Sequence, residues 1–303
     1  MTHRIIFMGT PDYAAQYLEG LIFSGYKPIA VITQPDRPAG RAQTVEATPV
    51  KRTAERNNIP VHQPEDIRDP QWTKKIQELK PDLIVVVAFG QIIPQSILTI
   101  PSKGCINVHP SLLPRHRGAT PWQETILQGD ATTGVTIMLM DEKMDHGPIL
   151  SQEGVDVAPD ETTKSLEDKT AAIGIPLLIG TLTRWFAGTV TPAEQHHDQA
   201  TYTRLLKKES GRIDWSKCPV EIDRMIRALN PWPGAWTEWH GKRIKILKAH
   251  LDEQNDLIVD ELQPEGKKSM DAKTFRNGYC QGAQKEQPLS SLFQSQADGS
   301  SKE

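Results

Sequence analysis

Cysteine is scarce in this chain: three residues in 303, at positions 105, 218 and 280. They lie far apart and form no Cys-x-x-Cys pair, which speaks against a thiolate zinc site and against a disulfide framework, and no metal site is expected. Long hydrophobic runs are missing too. The apolar run near the start covers only Ile5 to Met8 before Gly9, too short for a signal-peptide core or a membrane span. Neither sign of charge predominates. A formal net charge of −3 gives no global signature of nucleic-acid binding, so any basic surface must be local. The Gly-x-Gly-x-x-Gly fingerprint is absent. Gly9-Thr10-Pro11 occupies the turn where it would stand, so no nicotinamide cofactor is expected. These absences describe a reduced, cytoplasmic protein without a membrane anchor, and a monomer is expected.

What is present is a balanced composition, 37% hydrophobic and 24% charged, on a chain long enough for two domains. Short apolar runs at Ile5–Met8, Ile29–Ile32, Asp82–Phe89, Gly104–Val108 and Val135–Met140 read as strands. Helical patterns lie between them, one opened by Pro11 with Thr10 as its cap and one opened by Thr48-Pro49. Thr33 to Ala47 reads as a long loop. Thr162 to Phe186 reads as helix, with Pro176 expected to kink or split it. The pattern predicts an α/β fold with a doubly wound, mostly parallel, Rossmann-like sheet over 1–186. A polar linker is expected at 187–203, where His196 and His197 read as solvated. A C-terminal, OB-like β-barrel is expected over 204–288 and a disordered tail rich in Ser and Gln over 289–303.

The residues best placed for chemistry are Asn107, His109 and Asp145. Asn107 and His109 stand two apart on a predicted strand, so they share a face. Pro110 ends that strand, and the carboxyl ends of strands are where open α/β sheets bind ligands. An amide can stabilise a developing oxyanion, and an imidazole can take and return a proton. A carboxylate can orient that imidazole. None of the three is a nucleophile, Ser111 lacks a nucleophile-elbow context and Cys105 lacks a base. The set suits attack by a substrate's own nucleophile on a carbonyl, an acyl or formyl transfer without a covalent enzyme intermediate, or else a purely structural role.

The motif Asn107-Val-His-Pro-Ser-Leu-Leu-Pro114 with Arg117-Gly118, then Asp145-x-Gly147-Pro148, resembles the signature of the folate-dependent formyltransferases. Phe7-Met-Gly-Thr-Pro-Asp12, Gln34-Pro-Asp-Arg-Pro-Ala-Gly-Arg41, Phe89-Gly-Gln-Ile-Ile93, Gly211-Arg-Ile-Asp-Trp215 and Asn230-Pro-Trp-Pro-Gly-Ala-Trp236 narrow the resemblance to the methionyl-tRNA branch. It extends to about Gly278. It implies that 10-formyltetrahydrofolate donates a formyl group to the amine of initiator methionyl-tRNA, with Asn107, His109 and Asp145 catalytic. It implies a folate site at Ser111, Leu112, Leu113 and Pro114 and at Phe89, Gly90, Gln91, Ile92 and Ile93. It assigns the loop Thr33–Ala47 to tRNA. The lysines common in that loop are absent, which leaves Arg37 and Arg41 as its cations.

Arg204 to His250 holds eleven Lys and Arg against five Asp and Glu, a local excess of six positive charges. Such an excess fits phosphate contact, with Lys207 and Lys208 as candidates. Trp232, Trp236 and Trp239 could stack on bases, although packing is the commoner role of such residues. Other folate formyltransferases or hydrolases acting on a nucleotide or sugar nucleotide, an inactive RNA-binding relative and a dinucleotide oxidoreductase are the competing readings.

Overall fold

Four short apolar runs are buried along almost their whole length, which requires a sheet covered on both faces. They are β1 (Ile5–Gly9), β2 (Ala30–Ile32), β6 (Leu83–Val87) and β7 (Cys105–His109). The computed structural model describes residues 3–39 and 44–299. Between β1 and β2 lies α1 (Asp12–Phe23), and between β2 and β6 come β3 (Arg37–Ala39), β4 (Thr44–Glu46), α2 (Pro49–Arg56), β5 (Val61–His62) and α3 (Pro70–Leu79). After β6 the chain forms α4 (Gln95–Leu98), and after β7 it forms α5 (Pro121–Gln128), β8 (Thr132–Leu139), β9 (Ile149–Asp156) and α6 (Thr163–Phe186). The remaining elements are α7 (Pro219–Leu229), β10 (Ala235–Trp239), β11 (Lys242–Leu251), β12 (Leu257–Pro264), β13 (Met270–Asp271), α8 (Ala272–Tyr279) and α9 (Leu289–Gly299).

The described residues group into two units: 1–118, 132–156 and 167–203 in the first, and 119–131, 157–166 and 204 onward in the second. The first unit is a seven-stranded sheet in the order β5-β2-β1-β6-β7-β8-β9. The first five strands pair in parallel, while β8 and β9 are antiparallel. The strand order reverses between β1 and β6, and ligands bind at the carboxyl ends of strands beside such a switch point. The second unit carries a four-stranded antiparallel sheet, β10-β11-β12-β13. Its register shifts between Ile246 and Ala249, the bends that let a small sheet curl around a core. That core is aromatic: the Phe293 ring lies 5.5 Å from Trp239 and 5.6 Å from Trp215.

Several local expectations need correction. Thr10 does not cap α1; its hydroxyl donates to the Phe89 carbonyl at 2.9 Å and ties the end of β1 to the segment after β6. Pro176 does not split α6, which runs through it as one helix. Pro176 and Ala172 lie on the exposed side of the helix, so the carbonyl that loses its partner can turn to water. The polar segment 187–203 is not a free linker: Ala193 bridges Ile149, and Arg117 pairs with Thr201 and Tyr202. The tail at 289–299 is helical rather than disordered. Leu289, Leu292 and Phe293 supply the buried stripe that stabilises the helix. Inside the loop Thr33–Ala47, β3 and β4 pair as a hairpin, Arg37 opposite Glu46.

Cys105 and Cys280 are buried and Cys218 is exposed. Burial pushes the Cys105 thiol up to about 12 and raises Cys280 as well. A thiol reagent is expected to label only Cys218 in the native protein and all three cysteines in denaturant. Mass spectrometry checks this, and fast native labelling of Cys105 would contradict the packing around β7.

Candidate active site

Strand β7 delivers two of the three expected residues. Its position between β6 and β8 sets Asn107 opposite Val86 and Met138, and His109 opposite Thr136. With two-residue alternation, both side chains leave the same face. Asp145 arrives from the turn between β8 and β9. That turn is closed by the Leu139 N–H donating to the Pro148 carbonyl at 2.9 Å. Gly147 sits so close that a Cβ there would lie 2.1 Å from the Leu139 carbonyl oxygen, so only glycine fits. Asp145 itself takes a left-handed backbone conformation, φ +50°.

The structure brings the three together. Asp145 Oδ1 lies 3.4 Å from Asn107 Nδ2 and 3.6 Å from His109 Nδ1. Its other oxygen, Oδ2, accepts a 2.8 Å bond from the Gly118 N–H. One oxygen is therefore anchored, and the other faces Asn107 Nδ2 and His109 Nδ1 at distances longer than a strong hydrogen bond, as is common before substrate binds. His109 is only 4% exposed, and its Nε2 lies 2.9 Å from the His116 carbonyl. A carbonyl only accepts, so Nε2 carries a hydrogen, and it is Nδ1 that remains for Asp145 and a substrate. No nucleophile joins the set: Ser111 is buried and donates to the Arg115 carbonyl at 2.6 Å, and Cys105 is buried with its thiol directed at the Leu98 carbonyl.

The segment from Ser111 to Pro114 is held by residues that carry no signal in the sequence. Thr136 Oγ1 donates to the Ser111 carbonyl at 2.6 Å and accepts from the Leu113 N–H at 3.1 Å. Gln152 Nε2 donates to the Leu113 carbonyl and to Thr136 Oγ1, both at 2.8 Å. Leu113 is buried, while Leu112 and Pro114 are half-buried. Residues 89–93 divide in two. Phe89 and Ile93 belong to the core of the first unit. Gln91 braces the backbone, accepting from the Ile67 N–H at 2.7 Å and donating to the Pro64 carbonyl at 3.1 Å. Gly90 and Ile92 are the exposed members, Ile92 at 79%. The Phe89 carbonyl accepts from Thr10 and from Gln34, so this backbone is fixed.

Of the cations proposed for tRNA, Arg37 is exposed on the first unit, and Lys207 and Lys208 are exposed on the second. Arg41 lies outside the described residues. Trp236 and Trp239 are buried, the former beneath the Arg243 guanidinium at 3.8 Å; Trp232 is 55% exposed. His197 is engaged rather than merely solvated: it stacks on His146 with ring centroids 3.9 Å apart and accepts from Arg117. Among the described residues no helix is long and apolar enough to cross a membrane, and no group of three His, Cys, Asp or Glu could hold a metal ion.

Residues 3–182 match the family described as formyl transferase, and residues 205–257 match its C-terminal domain. A methionyl-tRNA formyltransferase of Trichlorobacter lovleyi is 44% identical over 297 residues, covering 91% of this chain and 94% of that one. One from Chloroflexus aurantiacus is 48% identical, covering 81% and 79%. Among solved structures, an N-formyltransferase from Helicobacter canadensis in complex with folinic acid and dTDP-3-aminofucose superposes with a TM-score of 0.64 at 20% identity, covering 82% and 88%, a likeness of fold. The family match spans the first unit's sheet with its amide, imidazole and carboxylate, a second match falls in the second unit, and the relatives align over most of their length: the chain belongs to the formyl transferase family, in its methionyl-tRNA formyltransferase branch.

Proposed function

We propose that this chain transfers the formyl group of 10-formyltetrahydrofolate to the α-amino group of methionine esterified to initiator tRNA, in the cytoplasm. The carrying observation is Asp145 Oδ1, turned toward both Asn107 and His109. The donor supplies an electrophilic carbonyl. The acceptor is an amine whose ordinary pKa of about 7.7–8.0 leaves a usable free fraction at neutral pH. Attack places negative charge on the carbonyl oxygen, and Asn107 has two amide hydrogens. One can stay on Asp145 while the other meets that oxygen, a contact typically worth about 2.7–4 kcal/mol of barrier. His109 contributes through Nδ1, since Nε2 is committed to the His116 carbonyl. Asp145 Oδ1 is the oxygen placed to share or receive the proton that the attacking amine must lose.

The folate site fits a flat heterocycle better on Gly90, Ile92 and Leu112 than on the buried Phe89 and Ile93. Ser111, Leu113 and Gln91 shape its walls from behind. The second unit's cations and the hairpin carrying Arg37 suit a polyanionic acceptor. Arg37→Ala and Arg41→Ala are each expected to raise KM for tRNA and to lower the salt slope of binding by about one for each phosphate left without its cation. A change confined to folate affinity would contradict the assignment of this loop.

Purified protein supplied with the formyl donor and charged initiator tRNA should yield formyl-methionyl-tRNA. Turnover of a nucleotide or sugar amine in its place would overturn the reading.

A further inference from the structure

We propose that Gln195, held by the buried Arg117, is the positioning residue that sets Asp145 against Asn107 and His109. The inference rests on the reading of Asp145 as part of the reacting set. Gln195 belongs to the polar segment that looks like a linker, yet it is only 5% exposed. Its Nε2 donates to the Asp145 carbonyl at 3.0 Å and to the Gly147 carbonyl at 2.7 Å, so one amide clamps two points of the turn. Asp145 has a positive φ that a non-glycine residue keeps only when its surroundings hold it there.

The opposite end of the same amide is fixed as firmly. Gln195 Oε1 accepts from Arg117 Nε at 3.2 Å and from Arg117 Nη2 at 2.7 Å. Arginine can only donate, so the oxygen of Gln195 must face Arg117 and its NH₂ must face the turn. Arg117 is 1% exposed, and its remaining side-chain bonds run to His197 Nδ1 at 2.8 Å and the Tyr202 hydroxyl at 3.4 Å. Loss of hydration, with His146 and Arg117 nearby, holds His197 below the usual imidazole range, in keeping with an accepting Nδ1.

A buried guanidinium whose described acceptors are a side-chain amide, an imidazole and a hydroxyl is costly. Here it has a compensating use. It orients the clamp on one side, while its chain neighbour Gly118 donates to Asp145 Oδ2 on the other. Gly118 has φ +120°, and a Cβ there would lie 2.4 Å from Thr203 Oγ1, so the same strap shapes both anchors. The backbone and the carboxylate of Asp145 are thus located by two adjacent residues, Arg117 and Gly118. Neither needs to touch substrate.

The test is steady-state kinetics of methionyl-tRNA formylation combined with a double-mutant cycle. Gln195→Ala should lower kcat about 10–100-fold, the scale of a misplaced catalytic group, with KM for both substrates changed less than about threefold. Gln195→Glu keeps the acceptor for Arg117 but has no donor for the two carbonyls, and should fall as far. It carries the same comparison should the alanine variant melt below the assay temperature. In an Asp145→Asn background, Gln195→Ala should cost less than about threefold more, because the group it positions is already disabled. Additive losses, or a normal kcat in Gln195→Glu, would overturn the proposal. Full activity of Asp145→Asn alone would instead overturn the reading of the site on which it rests.

Discussion

Asn107→Ala is expected to lower kcat for formyl transfer about 10²–10³-fold, the usual cost of one oxyanion donor. KM for tRNA should hardly change, because the side chain is half-buried in the middle of β7 and its hydrogen bond runs to Asp145 rather than to any of the cations proposed for tRNA. Removing that bond, long at 3.4 Å, should leave thermal stability nearly unchanged. The combination separates a catalytic amide from a structural one. A structural amide would lower the melting temperature and spare the rate. Rapid-quench measurement of single turnovers with saturating donor reads the chemical step directly, and a wild-type rate there would remove Asn107 from the mechanism.

Asp145→Asn carries the second large effect. The amide is almost isosteric, and its oxygen can still accept from the Gly118 N–H, so the turn should persist. What disappears is the charge facing His109 Nδ1 at 3.6 Å and the acceptor shared with Asn107 at 3.4 Å. Its NH₂ would also point a donor at the Asn107 amide donor. Loss of a positioned proton acceptor typically costs about 10²–10⁴-fold, and a kcat fall within that range is expected at unchanged substrate affinity. Hydrogen exchange or a melting curve should show an intact fold. A loss of less than about threefold, too small for a proton acceptor, would mean that the carboxylate only shapes the turn.

Much of this site is visible in the chain itself, for a physical reason. Asn107 and His109 lie in a short apolar run beside a strand-ending proline, so their shared face follows from strand geometry alone. The parallel core is equally visible, because Leu83–Val87 and Ile5–Gly9 are unbroken apolar runs that only a two-sided layer can hide. β9 escapes that test: it is an edge strand carrying Ser151, Gln152 and Glu153, with few buried positions. The hairpin β3–β4 escapes because its strands are three residues each.

The supporting residues are hidden for another reason. Gln195 bonds Arg117 across 78 positions and Asp145 across 50, and no local periodicity encodes such a distance. Polar composition makes 187–203 look like a linker, whereas its amides and hydroxyls pair with the loops that follow β7 and β8. Thr10 has the composition of a helix cap, but its hydroxyl prefers the Phe89 carbonyl to the first turn of α1. In residues 89–93 the sequence offers no way to tell Ile92, which is open, from Ile93, which is core. The helix α9 does leave a trace, Leu289, Leu292 and Phe293 at helical spacing, obscured by surrounding serine and glutamine.

The central claim is direct transfer, with the acceptor's own amine as the nucleophile and no covalent enzyme intermediate. A quench-flow single turnover with donor labelled in its formyl carbon, followed from mixing to completion, tests it most directly. The label should pass from folate to the α-amino group of methionine on initiator tRNA in one phase, with none bound to protein at any time. Label accumulating on the protein, or released as formate while the tRNA stays unmodified, would contradict it.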